Sequence, residues 1–433
     1  MTVMVALLFP LALAPLLAGP LEDYVRAPDD TFAWQRQGTQ NMGGLEVATL
    51  ALTSQTWRGG KWTHSLHIAR PRNLLHPGIA FLEITHAADK DILPAVRHLA
   101  ESDGTWVAVL TDVPNQPLLG NRYEDALIAH TFDQYLKTGD DTWPLLLPMT
   151  KSAVRAMDAV QAWALAEHGQ AIDRFIVSGA SKRGWTAWLT GAVDKRVCAL
   201  VPTVIDMLNM PAQTRWAQRV YGSQSASIHD YTDIGLTEQT GTPAGIRLMD
   251  IVDPYSYRAA FTMPKLLILG TNDPYWTVDA LRHYWDALPT PKLLYQTPNT
   301  GHGAGGSSGA ARTRAAFLRM TAENRPPPQL AWQLDGAAIR VTADRPAKKA
   351  LLWTAHSPTR DFRKAAWKSR PLPLAPDGGT CAFAEMPRPS DGFAAFMAEL
   401  VFTEAPVGDF SLSTQVFVVP DLAPVPEHGA IPQ

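Results

Sequence analysis

Three stretches of the sequence predict a mixed α/β chain: a doubly wound, mostly parallel sheet with a cap insertion, followed by a β-sandwich-like C-terminal unit. The first is Arg174–Thr190, where a short apolar strand passes through a small-residue turn into a helix. The second is the pair of apolar strands Gly78–Thr85 and Thr105–Leu110, separated by a helical stretch, Asp91–Glu101. That is a βαβ unit, and it calls for parallel pairing. The third is the change of pattern after Pro326-Pro327-Pro328, where strand-length apolar or alternating runs are separated by Pro, Gly and Asp. Such spacing is the signature of a small sandwich, and the proline run marks a boundary.

Length and charge narrow the class. With 433 residues, 46% hydrophobic residues and a net charge of −3, the chain has room for two or three domains and no basic excess for nucleic acid. Its 35 prolines and 14 tryptophans suit a loop-rich enzyme with aromatic clefts better than a helical bundle. Two cysteines, Cys198 and Cys381, exclude a disulfide framework and a Cys-rich metal site, leaving either one long-range bridge or two free thiols. No metal or cofactor is expected.

From the N-terminus, Val3–Ala18 is apolar but interrupted by Pro10 and Pro15, too short for a comfortable membrane span. A signal peptide over residues 1–19 is the better reading, with Leu16-Leu17-Ala18-Gly19 as a loose cleavage site and no basic residue before Arg26. Export to the periplasm or medium follows from it. The sheet unit then occupies 20–325 and the sandwich-like unit 327–433. Leu45–Trp57 and Lys61–Ala69, joined by Arg58-Gly59-Gly60, read as a hairpin. Lys151–His168 reads as a long helix, with Val154, Met157, Val160 and Leu165 on one face. Cys198–Ile205, Lys265–Leu269 and Leu293–Tyr295 are the next strands. Between the first two of these lie about sixty residues, Asp206–Met263, more than a crossover needs. An insertion there overhangs the carboxyl ends of the strands as a cap, or else adds a packing layer. Six strands are expected after residue 327: Leu330–Leu334, Ala338–Thr342, Lys349–Thr354, Cys381–Glu385, Phe393–Phe402 and Gln415–Val419.

The chemistry centres on Gly179-Ala180-Ser181-Lys182-Arg183-Gly184. A strand, a sharp turn, a serine and a helix form a nucleophile elbow, which holds Oγ above the sheet edge and offers the Lys182 amide to an oxyanion. The pattern G-x-S-x-G is imperfect, because its last glycine comes one place late. Ser181 could equally serve as a helix N-cap. A nucleophilic serine needs a base, and the base an acid. Asp273 follows the strand Lys265–Leu269, and His302 lies in the Gly-flanked loop after Leu293–Tyr295, giving the order Ser, Asp, His. Asp206, directly after Cys198–Ile205, is the alternative acid; strand-end position favours Asp273. The second oxyanion donor is expected from Thr85-His86-Ala87, with His86 alternatively a substrate contact. Lys182, Arg183 and Trp276 are candidate substrate contacts. For Arg183 a structural pairing with an acid of the fold stays open beside recognition of an anionic substrate.

Several runs resemble the PhoPQ-activated pathogenicity-related protein family: Leu21–Val25, Val113–Leu118, Glu124–Phe132, Trp143–Asp158 and Val177–Thr190, extended by Val204–Met210 and Ile251–Tyr257. The resemblance implies an exported protein with the α/β-hydrolase fold, a catalytic-looking Ser181, Asp273 and His302, and a C-terminal β unit. Thr85-His86-Ala87-Ala88 departs from the glycine-rich turn that family members tend to carry. Asn272-Asp273-Pro274-Tyr275-Trp276 likewise replaces a more acidic loop. Lys182 or Arg183 also resembles the basic residue in the G-x-S-R-x-G elbow of glucuronoyl esterases. Two functions are compatible with this reading. One is a serine hydrolase acting on a small-molecule, sugar-linked or peptide ester or amide. The other is a non-catalytic exported protein that binds a partner or ligand.

Overall fold

A computed structural model of the chain describes residues 19–86, 96, 100, 104–335, 338–375, 380–385 and 389–421. Nine strands form the main sheet: β1 (Ala33–Met42), β2 (Leu45–Trp57), β3 (Gly60–Pro71), β4 (His76–Ile84), β5 (Thr105–Leu110), β6 (Arg174–Ala180), β7 (Val197–Thr203), β8 (Lys265–Gly270) and β9 (Lys292–Thr297). Their order is β1-β2-β3-β5-β4-β6-β7-β8-β9. Pairing is antiparallel from β1 to β5 and parallel from β5 onward. The parallel strands are the apolar ones; every residue of β5 is buried, as expected where helices cover both faces.

Strand order reverses at β4. The chain leaves β4 in one direction to form β5, then crosses back to lay β6 on its other side. A crevice opens at such a switch point, beyond the carboxyl ends of the strands. Ser181 follows β6 there, and Thr85 follows β4. The βαβ pairing of β4 with β5 is as the sequence predicts; most of Asp91–Glu101, and all of 1–18, lie outside the described residues.

Asp206–Met263 lies between β7 and β8 and folds into short helices, chiefly Met210–Tyr221 and Pro243–Val252. It is tied down at both sides: Tyr231 donates to Asp125 (2.9 Å), and Tyr221 and Ser225 donate to the carbonyls of Trp276 (3.0 Å) and Pro274 (2.6 Å).

After residue 327 two further antiparallel sheets form. One contains β10 (Leu330–Asp335), β11 (Ala338–Ala343) and β14 (Thr380–Glu385); the other contains β12 (Lys349–Ser357), β13 (Lys368–Leu372), β15 (Phe393–Glu404), β16 (Gly408–Ser413) and β17 (Phe417–Val419). Their apolar side is continuous with the main sheet: Val341, Leu352, Phe396 and Leu400 share one core with Ile176, Leu266 and Phe317. β16 lies against β9 and the helix Ser308–Ala322, through Gln296 N donating to Ser413 Oγ (2.8 Å) and Thr313 Oγ1 to Ser411 O (3.0 Å).

Candidate active site

Ser181 occupies a backbone conformation that L-residues seldom adopt, with φ 55° and ψ −124°. Its amide is held by Thr203 O (2.8 Å), and its carbonyl receives the first helical bond from Trp185 (3.0 Å). The side chain makes no capping bond to the helix Lys182–Val193, so the N-cap alternative does not describe it. Close packing explains both glycines of the motif. A Cβ on Gly179 would stand 2.4 Å from Arg183 O, and one on Gly184 would meet Ile205 Cγ2 at 2.7 Å and Gly179 O at 2.9 Å. The last glycine comes a place late because the contact with the strand is made there.

His302 completes a hydrogen-bonded line. Its Nε2 is 2.8 Å from Ser181 Oγ, and its Nδ1 is 2.8 Å from Asp273 Oδ2. A carboxylate accepts only, so Nδ1 carries the proton toward Asp273 and Nε2 is left to accept from the serine. Asp273 is buried, and its other oxygen accepts from Tyr275 N (3.0 Å). The Tyr275 ring lies over the imidazole, with centroids 4.3 Å apart.

Asp206 is not part of this line. It is buried and accepts from Tyr284 OH (2.7 Å), and burial pushes its carboxyl up to about 8. It lines a small recess together with Asp273 and Trp276.

The loop after β4 differs from expectation. Thr85 N donates to Leu110 O (2.8 Å) and Thr85 O accepts from Val113 N (3.1 Å), so its backbone belongs to the sheet edge and offers no oxyanion donor. His86 is exposed, and Ala87 lies outside the described residues. The Lys182 amide stands in the first turn of its helix, where N–H groups lack intrahelical acceptors.

Of the two readings open for Arg183, the structure has the pairing with an acid of the fold. Nε donates to Val113 O (2.6 Å) while Nη1 and Nη2 grip both Glu124 oxygens (2.7 and 2.6 Å), an arrangement suited to a bidentate guanidinium. Burial pushes the Glu124 carboxyl up, but Arg183 overcomes this and the group is held at about 2. Lys182, by contrast, does reach the cavity. Its Nζ lies 2.6 Å from Asp125 Oδ2 and 5.8 Å from the Tyr275 ring centre. Trp276 lines the same cavity.

That cavity, about 140 Å³, is lined by Ser181 and, from the Asp206–Met263 insertion, by Met207, Met210, Leu248 and Met249. The insertion is a cap. Glu124, Asp125 and Tyr275 were not singled out from the sequence as site residues; the acidic pair opening the helix Glu124–Thr138 was the available signal. Among the described residues no group of three or more His, Cys, Asp or Glu is placed to hold a metal, and no helix is long and apolar enough to cross a membrane.

Comparison with known proteins gives the chain relatives. Residues 21–363 match the family described as PhoPQ-activated pathogenicity-related protein. Autocrine proliferation repressor protein A of Dictyostelium discoideum is 31% identical over 463 residues, covering 95% of this chain and 92% of that protein. Among solved structures the chain is similar to acetyl xylan esterase 1 of Thermoanaerobacterium sp., with TM-score 0.49 and 15% identity over 70% of this chain and 91% of that one. It is also similar to a glucuronoyl esterase of Solibacter usitatus, with TM-score 0.43 and 11% identity over 70% and 91%. The family match and the Dictyostelium relative together establish that the chain belongs to the PhoPQ-activated pathogenicity-related protein family.

Proposed function

We propose that the protein is an exported serine hydrolase that cleaves an ester or amide through an acyl-enzyme. The observation that carries this reading is the line from Asp273 through His302 to a serine in strained backbone that lines a capped cavity. In it, Ser181 Oγ attacks the substrate carbonyl while its proton passes to His302 Nε2. The tetrahedral oxyanion is received by the Lys182 amide, with the positive end of the helix behind it. The C–O or C–N bond then breaks, and His302 returns the proton to the leaving group. Water repeats the sequence and frees the acid and Ser181. Asp273 keeps the imidazole in the tautomer that accepts from serine and stabilises it when charged. Export rests on the apolar run Val3–Ala18; the Dictyostelium relative is named for an autocrine action.

A second reading, a binding protein on the same fold, is favoured by one observation: the Thr85 amide is already taken by Leu110. A fluorophosphonate probe separates the two. The hydrolase labels in the wild type and is silent in Ser181→Ala, and turnover falls by roughly three orders of magnitude or more in His302→Ala. A folded wild type that stays unlabelled favours the binding protein.

A further inference from the structure

We infer that the cavity under the cap is an acyl pocket for an apolar group of about six carbons, so that the preferred substrates are esters of medium-chain or aromatic acids. The chemistry of this inference rests on the serine-hydrolase reading; the pocket itself does not.

Three properties of the wall carry it. The first is composition: Phe132, Leu136, Ile205, Met207, Leu248 and Met249 surround the space that opens from Ser181. Methionines at such a surface adapt to flexible or flat apolar groups alike. The second is that several polar side chains of the wall already donate to the protein, while Trp276 Nε1 is a buried donor there without a partner. Gln213 donates to Leu208 O, Thr214 to Pro211 O, Gln224 to Thr214 O, Tyr231 to Asp125 and Thr240 to Thr237 O. The Lys182 ammonium is likewise engaged by Asp125 at 2.6 Å. A sugar would have to be recognised by several free donors and acceptors fixed around it, more than the one indole N–H supplies, whereas an acyl chain asks only for apolar surface. The third is size. At about 140 Å³ the cavity matches the engineered cavities of about 150 Å³ that admit one benzene-sized guest. An acetyl group would leave most of this wall against water, and a ten-carbon chain would run past it without gaining further apolar contact.

The test is a series of p-nitrophenyl esters (acetate, butyrate, hexanoate, decanoate and benzoate) together with a peracetylated monosaccharide. The pocket predicts kcat/KM rising about fourfold per methylene from acetate to hexanoate, from the usual gain per buried methylene, then gaining no more at decanoate. In Leu248→Phe and Met249→Phe the hexanoate-to-acetate ratio falls at least tenfold, a ratio that partial loss of folded protein does not move. Preference for acetate or for the acetylated sugar, or an unchanged ratio in both variants, overturns the pocket. Should no ester be turned over and the fluorophosphonate probe leave the folded wild type unlabelled, the hydrolase reading has failed by itself. Calorimetric titration of the wild type with hexanoate and benzoate then decides the pocket: binding that weakens in both variants upholds it, and no binding removes it.

Discussion

Ser181 stands on a joint shaped mainly by its neighbours Gly179, Arg183 and Gly184, whereas Asp273 and His302 stand on loops fixed by residues far along the chain. Asn272, next to the acid, donates its side-chain amide to Phe362 O (3.1 Å) and Ala365 O (2.8 Å), and Asn299, three residues before the histidine, exchanges bonds with the Trp367 backbone (3.0 and 2.7 Å). All three acceptors belong to the segment between β12 and β13. The nucleophile is thus positioned by local sterics, and its partners by the C-terminal strands clasping the sheet from outside. A site divided in this way fails differently at its two ends: one end by loss of fold, the other by loss of alignment.

The largest effect is expected at the joint. Gly179→Ala places a methyl carbon 2.4 Å from a backbone oxygen that has no room to retreat. Overpacking of this kind costs about 3 kcal/mol, and here it also rotates Ser181 away from His302. Thermal unfolding and probe labelling should fall together. A Gly179→Ala protein with normal melting and normal labelling would mean that the elbow is not what holds the serine.

A smaller effect, and one of another kind, is expected at the clasp. In Asn272→Ala and Asn299→Ala the loops keep their backbone bonds, among them Asn272 N to Thr300 O (2.9 Å), but lose their anchor to residues 362–367. Misplacement of the histidine by a fraction of an ångström should lower kcat about tenfold with KM little changed. Melting should shift much less than in Gly179→Ala. If KM rises and kcat holds, the clasp shapes the substrate cavity and not the triad.

The same division explains what could be read from the sequence. The elbow, β4 to β9, the cap and the order Ser181, Asp273, His302 are legible because apolar strands and glycine turns declare themselves over a few residues. β1 was missed: AWQRQGTQNM is almost wholly exposed and pairs along one edge, so no apolar alternation marks it. β13 and β16 were missed for a similar reason, since KSRPL and GDFSLS carry too little apolar pattern. The helix Glu124–Thr138 hides behind a polar sequence, and with it the carboxylates that hold Arg183 and Lys182. The clasp could not be read at all. An asparagine that binds carbonyls 90 residues away has no local signature.

The smallest effect concerns the other carboxyl of the acid side. Asp206 and Asp273 line one recess, yet only Asp273 touches His302; Asp206 is buried beneath Tyr284. Burial, with the nearby charges of Asp273 and Asp279, raises its carboxyl from an ordinary 3.8 to about 8. In the unfolded chain it loses its proton near the ordinary value. Between these two points the folded protein therefore holds one proton more than the unfolded, and its stability falls as pH rises from about 4 to about 8. Asparagine has the shape of the protonated acid and does not titrate, and its carbonyl oxygen can still accept from Tyr284. Asp206→Asn should therefore melt near the wild type at pH 5 and a few degrees above it at pH 8, with turnover at pH 7 retained. A gap that does not widen with pH would show that Asp206 is ionised in the folded protein. A loss of turnover as deep as that of Asp273→Asn would make Asp206, and not only Asp273, the support of His302.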